Sequence, residues 1–324
     1  MTGIWRDIGQ GDFGFLTTLS GLIASSEERN PTLIPDLRKS PGLVVASDYG
    51  GEHRSAIWTS YSYVITDHYA VAQWVPMIQD VRNRLLPDGR RLSFKKLGDK
   101  VRMRALGPFL SAANELRGLS VTFLVHRQIP SLFHSGKFDP SNLDYEPLRS
   151  YSPHIVEKLL RVTHFFALLM AGMSAKGQDL LWVTDQDAIA PNVGGLYILT
   201  EVVGRAMSHL LDHDMRHCRV ATAQSDPGDR SIEDLLALPD LVAGILPSHL
   251  VETFGVRGAP LAGFTFPRLS RMSRKQRELL DWFSDNTQPL QRLVILIDMT
   301  ETGALRGTRL RYHGTRDVCR CAAW

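Results

Sequence analysis

The chain has 324 residues, 44% of them hydrophobic, which is enough for one large folded unit or two modest ones with a full core. Its formal charge of +3 is only mildly basic, so the whole-molecule average demands neither a nucleic acid nor a membrane surface as partner. Three cysteines, Cys218, Cys319 and Cys321, form no repeated pair spacing and argue against a disulfide framework or a four-cysteine zinc site.

Residues 1–40 contain Gly3, Gly9, Gly11, Gly14 and Pro31 and no sustained period, which predicts an irregular N-terminal arm. After Pro41-Gly42 the residue types predict a strand over 43–49, a turn at Gly50-Gly51-Glu52-His53 and a second strand over 56–66, together an antiparallel hairpin. Val75, Ile78, Val81, Leu85 and Leu86 are spaced as on an amphipathic helix that Pro87-Asp88-Gly89 ends. Residues 92–94 read as a short strand, 101–116 as a helix and 119–125 as an apolar strand. Helix–strand succession then repeats, with helices over 155–173 and 195–213 and strands over 180–184 and 219–224.

Ser231, with Asp234 three residues later, resembles a capping box that opens a further helix, and Pro239 inside that helix is expected to bend it. Residues 275–284 suggest a short helix, and 293–297 with 308–313 a terminal hairpin. The resulting division is an arm over 1–40, an α/β domain over 41–255 and a C-terminal extension over 256–324. No succession of charged, apolar and small residues opens the chain, and the apolar run 165–173 is too short for a bilayer. A cytoplasmic protein without a membrane partner is expected.

Basic residues cluster twice. Between positions 82 and 104, nine of them, including Arg90, Arg91, Lys95 and Lys96, accompany two acids, Asp88 and Asp99; Arg268, Arg271, Arg274, Lys275 and Arg277 accompany none. Each cluster fits contact with a phosphate backbone, and each fits an ordinary solvated face.

Asp240 interrupts an otherwise apolar helix face, with Leu236, Ala237, Ala243 and Gly244 as its helical neighbours. A buried unpaired charge is costly, so this carboxylate is either neutralised or bound to something positive. Asp48 ends the first apolar strand, and Asp185 and Asp187 end the strand over 180–184. Strand-end acids together with a helix acid suggest a divalent-metal centre, although each strand-end acid also suits a turn or cap.

The order of elements and acids resembles a broad family of bacterial RNase H-like proteins. The family's first strand ends in Asp before a Gly turn, here Val45-Ala46-Ser47-Asp48-Tyr49-Gly50-Gly51. Its last helix carries a Leu-Ala-Asp-x-x-Ala-Gly pattern, here Leu236-Ala237-Leu238-Pro239-Asp240-Leu241-Val242-Ala243-Gly244. The resemblance covers about residues 43–250 and implies a mixed sheet flanked by helices. It also implies Mg²⁺- or Mn²⁺-dependent cleavage of a nucleic-acid phosphodiester, with Asp48 bridging two ions, Asp185 holding one of them, Asp187 in reserve, and Asp240 reaching an ion from the helix. A role beside defence genes or mobile elements, and a protein partner, are further implications.

Two departures stand out: Ser93 occupies the place where the family has Glu, and Pro239 the place of Ala. Glu52 and Asp226 are candidate substitutes for the missing acid. A lost ligand would leave either one-metal chemistry or a module that only binds nucleic acid or protein.

Four other patterns have less support. His209, His213 and His217 recur every four residues but lack the His-Glu-x-x-His form, and Cys319-x-Cys321 with His313 is short of zinc ligands. Gly9-x-Gly11-x-x-Gly14 follows no strand. Trp58, Tyr61, Tyr63 and Tyr69 suit base stacking, and equally suit strand packing.

Overall fold

The computed structural model describes residues 3–9, 13–53, 56–134, 144–226, 228–254 and 272–311. Strands β1 (Gly42–Gly50), β2 (Trp58–Asp67), β3 (Gly118–His126), β4 (Asp179–Thr184), β5 (His217–Thr222), β6 (Leu290–Met299) and β7 (Leu305–Leu310) form one sheet in the order β5-β4-β1-β2-β3-β6-β7. β1, β2 and β3 run antiparallel in turn, β4 lies parallel to β1, β5 to β4 and β6 to β3, and β7 returns antiparallel on the edge. The mixed α/β class expected from the sequence is therefore present. The terminal hairpin, expected in a separate extension, completes this same sheet.

Side-chain alternation along β1 sends Leu43 and Val45 to one face and Val44 and Ala46 to the other. Helices α1 (Phe15–Arg29), α4 (Pro153–Met173) and α5 (Val193–Leu210) cover the first face; α2 (His68–Leu85), α3 (Lys100–Asn114), α6 (Ser231–Phe254) and α7 (Arg274–Phe283) cover the second. Asp67 starts α2 by accepting the Ala70 N–H at 2.9 Å, and a Ser273–Gln276 capping box starts α7.

α6 crosses β1 and β2. Gly50 permits the approach, because a Cβ there would stand 2.6 Å from the Ala243 carbonyl oxygen; the neighbouring Ser60 hydroxyl donates to that same oxygen at 2.8 Å. By length and composition alone the Ser231–Thr253 stretch matches a membrane span. In the fold it is a core helix, with 78% of its apolar window buried.

Several local expectations change. The supposedly irregular arm contains α1, whose Leu16, Leu19 and Ile23 supply a buried face that the surrounding Ser and Thr obscure in sequence. Residues 92–94 are not a strand; Phe94–Lys96 form a turn of 3₁₀ helix, because the Phe94 N–H is drawn to α6. No Ser231/Asp234 capping box forms. Instead Asp226 caps α6 through the N–H groups of Ile232 and Glu233, at 2.9 and 3.2 Å, and Asp234 turns inward to a bidentate ion pair with Arg82. Pro239 and Pro247 are both accommodated within the α6 span.

Candidate functional site

Asp48 lies two residues beyond Ala46 on β1, and Asp185 lies two beyond Val183 on β4, so alternation turns both acids toward the α6 face. The parallel register aligns Ser47 with Thr184, and the Asp185 N–H donates to the Ser47 carbonyl at 3.2 Å, which keeps the two strand ends together. Asp240 approaches from α6. The three elements thus bring together Asp48, Asp185 and Asp240.

Asp48 is 6% exposed. Burial first, then the charges of Asp240 and Asp185, push its carboxyl well above the usual carboxylate range; only the Tyr49 N–H, at 2.6 Å, and Arg91 pull the other way. Asp240 is raised mainly by burial and further by Asp185, against the pull of its 2.6 Å bond from the Phe94 N–H and of Arg91 and Lys95.

The basic residues around the acids come from the segment between α2 and α3 and from α7. Arg91 Nη2 lies 3.5 Å from Asp185 Oδ1. Lys275 Nζ sits 3.7 Å from the centre of the Phe94 ring and donates to the Phe94 carbonyl at 3.3 Å. Gly244 makes room for that ring, since a Cβ there would come within 2.2 Å of it. The Asp-x-x-Ala-Gly spacing therefore has a packing meaning: Asp240 holds the Phe94 backbone, Ala243 meets β1 and β2, and Gly244 admits the Phe94 side chain.

Asp187 does not join this group. The ladder with β1 ends at the Asp185 N–H, and the chain then leaves the extended conformation, so strand alternation does not reach Asp187. Asp187 accepts the Ile189 N–H at 2.9 Å and pairs with Lys158, which also pairs with Glu52. The Lys158 side chain is only 4% exposed and lies 5.2 Å from the Tyr49 ring centre, on the α4 side of the sheet. Burial opposes its charge, but Asp187 and Glu52 outweigh burial and raise its pKa. Glu52 and Asp226, the two candidate substitutes for the missing acid, are thus engaged elsewhere, Glu52 with Lys158 and Asp226 as the α6 cap. The sequence reading overlooked Lys158; the signal was the charged group Glu157, Lys158 and Arg161 at the start of a helix that is otherwise strongly apolar.

The basic clusters divide. Arg90 is bound by Asp88 and Asp99, and Arg274 by Glu278 at 2.6 Å, whereas Lys95 and Lys96 are exposed beside the carboxylates. Arg268 and Arg271 lie outside the described residues, as do Cys319, Cys321 and His313. α5 ends at Leu210, so the three histidines do not share a helix; His213 bonds Ser174 at 2.9 Å, and His217 begins β5. Trp58, Tyr61 and Tyr63 are core residues, and Tyr69 is exposed.

Carboxylate oxygens are the donors that Mg²⁺ and Mn²⁺ favour, and a buried acid facing two others calls for positive charge. Asp48, Asp185 and Asp240 supply oxygen donors of that kind. Among the described residues, no three His, Cys, Asp or Glu side chains already enclose one metal-sized point, and Asp185 leans toward Arg91.

No family model matches the chain, and no curated protein sequence matches it. Among solved structures, a chain of the PCNA:RNase HII complex from Archaeoglobus fulgidus aligns with a TM-score of 0.33 and 15% identity, over 74% of this chain and 85% of that one.

Proposed function

We propose that the protein is an RNase H-like, divalent-metal-dependent nuclease that hydrolyses a nucleic-acid phosphodiester, with Asp48, Asp185 and Asp240 as ligands of Mg²⁺ or Mn²⁺. The observation that carries this reading is the burial of Asp48 opposite Asp240 and Asp185, an arrangement that is electrostatically unfavourable until a cation enters. Bound ions of this kind supply charge stabilisation to the attacking and leaving oxygens of an in-line displacement.

The protein's own groups hold and orient. Asp48 is fixed by β1, Asp240 by its bond to the Phe94 N–H, and Asp185 by the β1–β4 register. Arg91 is half-exposed beside Asp185, where its guanidinium can receive two oxygens of a phosphate. Lys95 and Lys96 extend the positive surface along the path of a polyanion, and Lys275 adds charge from α7.

A second reading, a module that binds nucleic acid or a protein partner without cutting, is favoured by one specific observation. Ser93 stands where the resemblance leads one to look for an acid, and Arg91 already supplies positive charge to Asp185. Incubating labelled single- and double-stranded DNA and RNA with Mg²⁺, Mn²⁺ or EDTA, beside Asp48→Asn, separates the two. Metal-dependent cutting that the variant lacks supports the nuclease; intact substrate with salt-sensitive binding supports the module.

A further inference from the structure

The outer edge of the sheet carries a charged feature separate from the carboxylates. β7 stops at Leu310, opposite Val294, so, among the described residues, positions 290–293 of β6 have no outer neighbouring strand. The cleft left there has a volume of about 180 Å³; among the described residues it is lined by Arg29, Arg292, Arg309 and Arg311 with Asn30 and Asn286 among others, and by no carboxylate. That is roughly six times the ~30 Å³ that one water occupies in the liquid, so a phosphate group fits with solvent to spare. β1 and β6 are three strand spacings apart, about 14 Å, which separates the cleft from Asp48.

The arginines come from three elements. Arg29 ends α1, Arg292 lies on β6, Arg309 is in β7, and Arg311 follows it. Arg292 is 6% exposed; its Nη1 donates to the Asp285 carbonyl, its Nη2 to Asn114 Oδ1 at 2.7 Å, its guanidinium lies 5.0 Å from the Trp282 ring centre, and its buried Nε has no partner among the described residues. Arg309 donates to the Ser26 carbonyl at 3.1 Å, which also offsets the negative end of the α1 dipole.

Burial, then the charges of Arg311 and Arg29, push Arg309 down to about 10. The acid that opposes the burial of Arg292 is Asp285, whose carboxylate already accepts from Thr287 and Gln288. The like charges of Arg29, Arg309 and Arg311, drawn into one recess, are relieved by an anion. The planar guanidinium fork matches the oxygens of a phosphate in pairs.

We propose that this cleft is a phosphate-binding site, built from Arg29, Arg292, Arg309 and Arg311 and independent of the carboxylate cluster. Its ligand is the phosphate group itself, carried either by a free phosphorylated small molecule or by a nucleic-acid backbone.

The test is calorimetric titration of the full chain with pyrophosphate in EDTA, which keeps the carboxylate site out of the measurement. Arg29→Gln/Arg311→Gln is the variant of choice, because Arg292 and Arg309 keep their structural bonds; the exposed Lys39→Gln serves as a surface-charge control. Saturable binding that weakens roughly tenfold or more in the double variant and holds in the control is the expected result. Absent binding, or equal affinity in the double variant, overturns the proposal.

A short single-stranded oligonucleotide, titrated in parallel, identifies the source. Affinity lost in the double variant and displaced by pyrophosphate assigns the backbone; unchanged oligonucleotide affinity beside weakened pyrophosphate binding assigns a small molecule. Asp48→Asn is expected to leave the pyrophosphate titration unchanged, so failure of the nuclease reading and failure of this one are distinguishable.

Discussion

Asp240 accepts the Phe94 backbone N–H at 2.6 Å, and one turn further along the same helix Gly244 gives the Phe94 ring its place. Together these contacts fasten the Arg91–Lys96 segment over the carboxylates. Gly244→Ala sets a methyl group against that ring and should cost about 1–3 kcal/mol in urea unfolding, the range of an overpacked core. Cleavage should fall with it as the segment shifts. Adding Phe94→Ala should restore much of the stability but not the activity, and a double-mutant cycle without coupling would remove the packing account of the motif.

Asp48→Asn retains an acceptor for the Tyr49 N–H but removes a buried charge repelled by Asp240 and Asp185. In EDTA the variant should therefore unfold at a higher temperature than the native protein. With Mn²⁺ or Mg²⁺ the order should reverse or the gap close, because only the native site gains from the ion, by mass action. Equal metal-induced shifts in both proteins would mean that the ion binds elsewhere.

The placement of the candidate acids was more legible in the sequence than that of their partners. Asp240 on an apolar helix face and Asp48 at a strand end are local patterns, and both acids lie where those patterns lead. Asp187 fails for a physical reason: a period-two argument holds only while the chain is extended, and the backbone turns after Asp185. The partners of Asp234 and Asp226 were hidden for another reason. Arg82 is 152 positions from Asp234, and no local signal separates a capping acid from an inward-facing one. α1 was obscured because Ser and Thr fill the positions between its apolar contacts. The edge arginines come together only when β7 folds back on β6, which places Arg29 next to residues nearly 300 positions away.

The Arg82–Asp234 pair is almost completely buried and joins α2 to α6. Burial raises Asp234 to about 6 in spite of Arg82, so the protonated acid favours the fold. Its contribution is full below the usual carboxylate range and is lost as pH rises through about 6. Arg82→Met removes the hydrogen bond and the charge that oppose the burial of Asp234, and should cost about 3–5 kcal/mol near neutral pH. At about pH 5 the cost should be clearly smaller, since Asp234 is then protonated. Urea denaturation at the two pH values measures this; an equal loss at both would trace the damage to Arg82 packing rather than to the stranded charge.

Arg91 and an incoming cation compete for Asp185, because the guanidinium stands 3.5 Å from the carboxylate and both side chains are about one-third exposed. Solvent screening limits such a pair to about 0–1 kcal/mol. Arg91→Gln should accordingly lower the Mg²⁺ or Mn²⁺ concentration needed for half-maximal stabilisation by no more than about fivefold. If Arg91 also receives the phosphate, kcat/KM should fall even though metal binds more easily, and the loss should appear mainly in KM. Metal titration by thermal unfolding and steady-state cleavage read the two effects separately. A variant that changes neither would make Arg91 a surface residue, whereas a change in the metal titration alone would confine its role to holding Asp185 until the ion arrives.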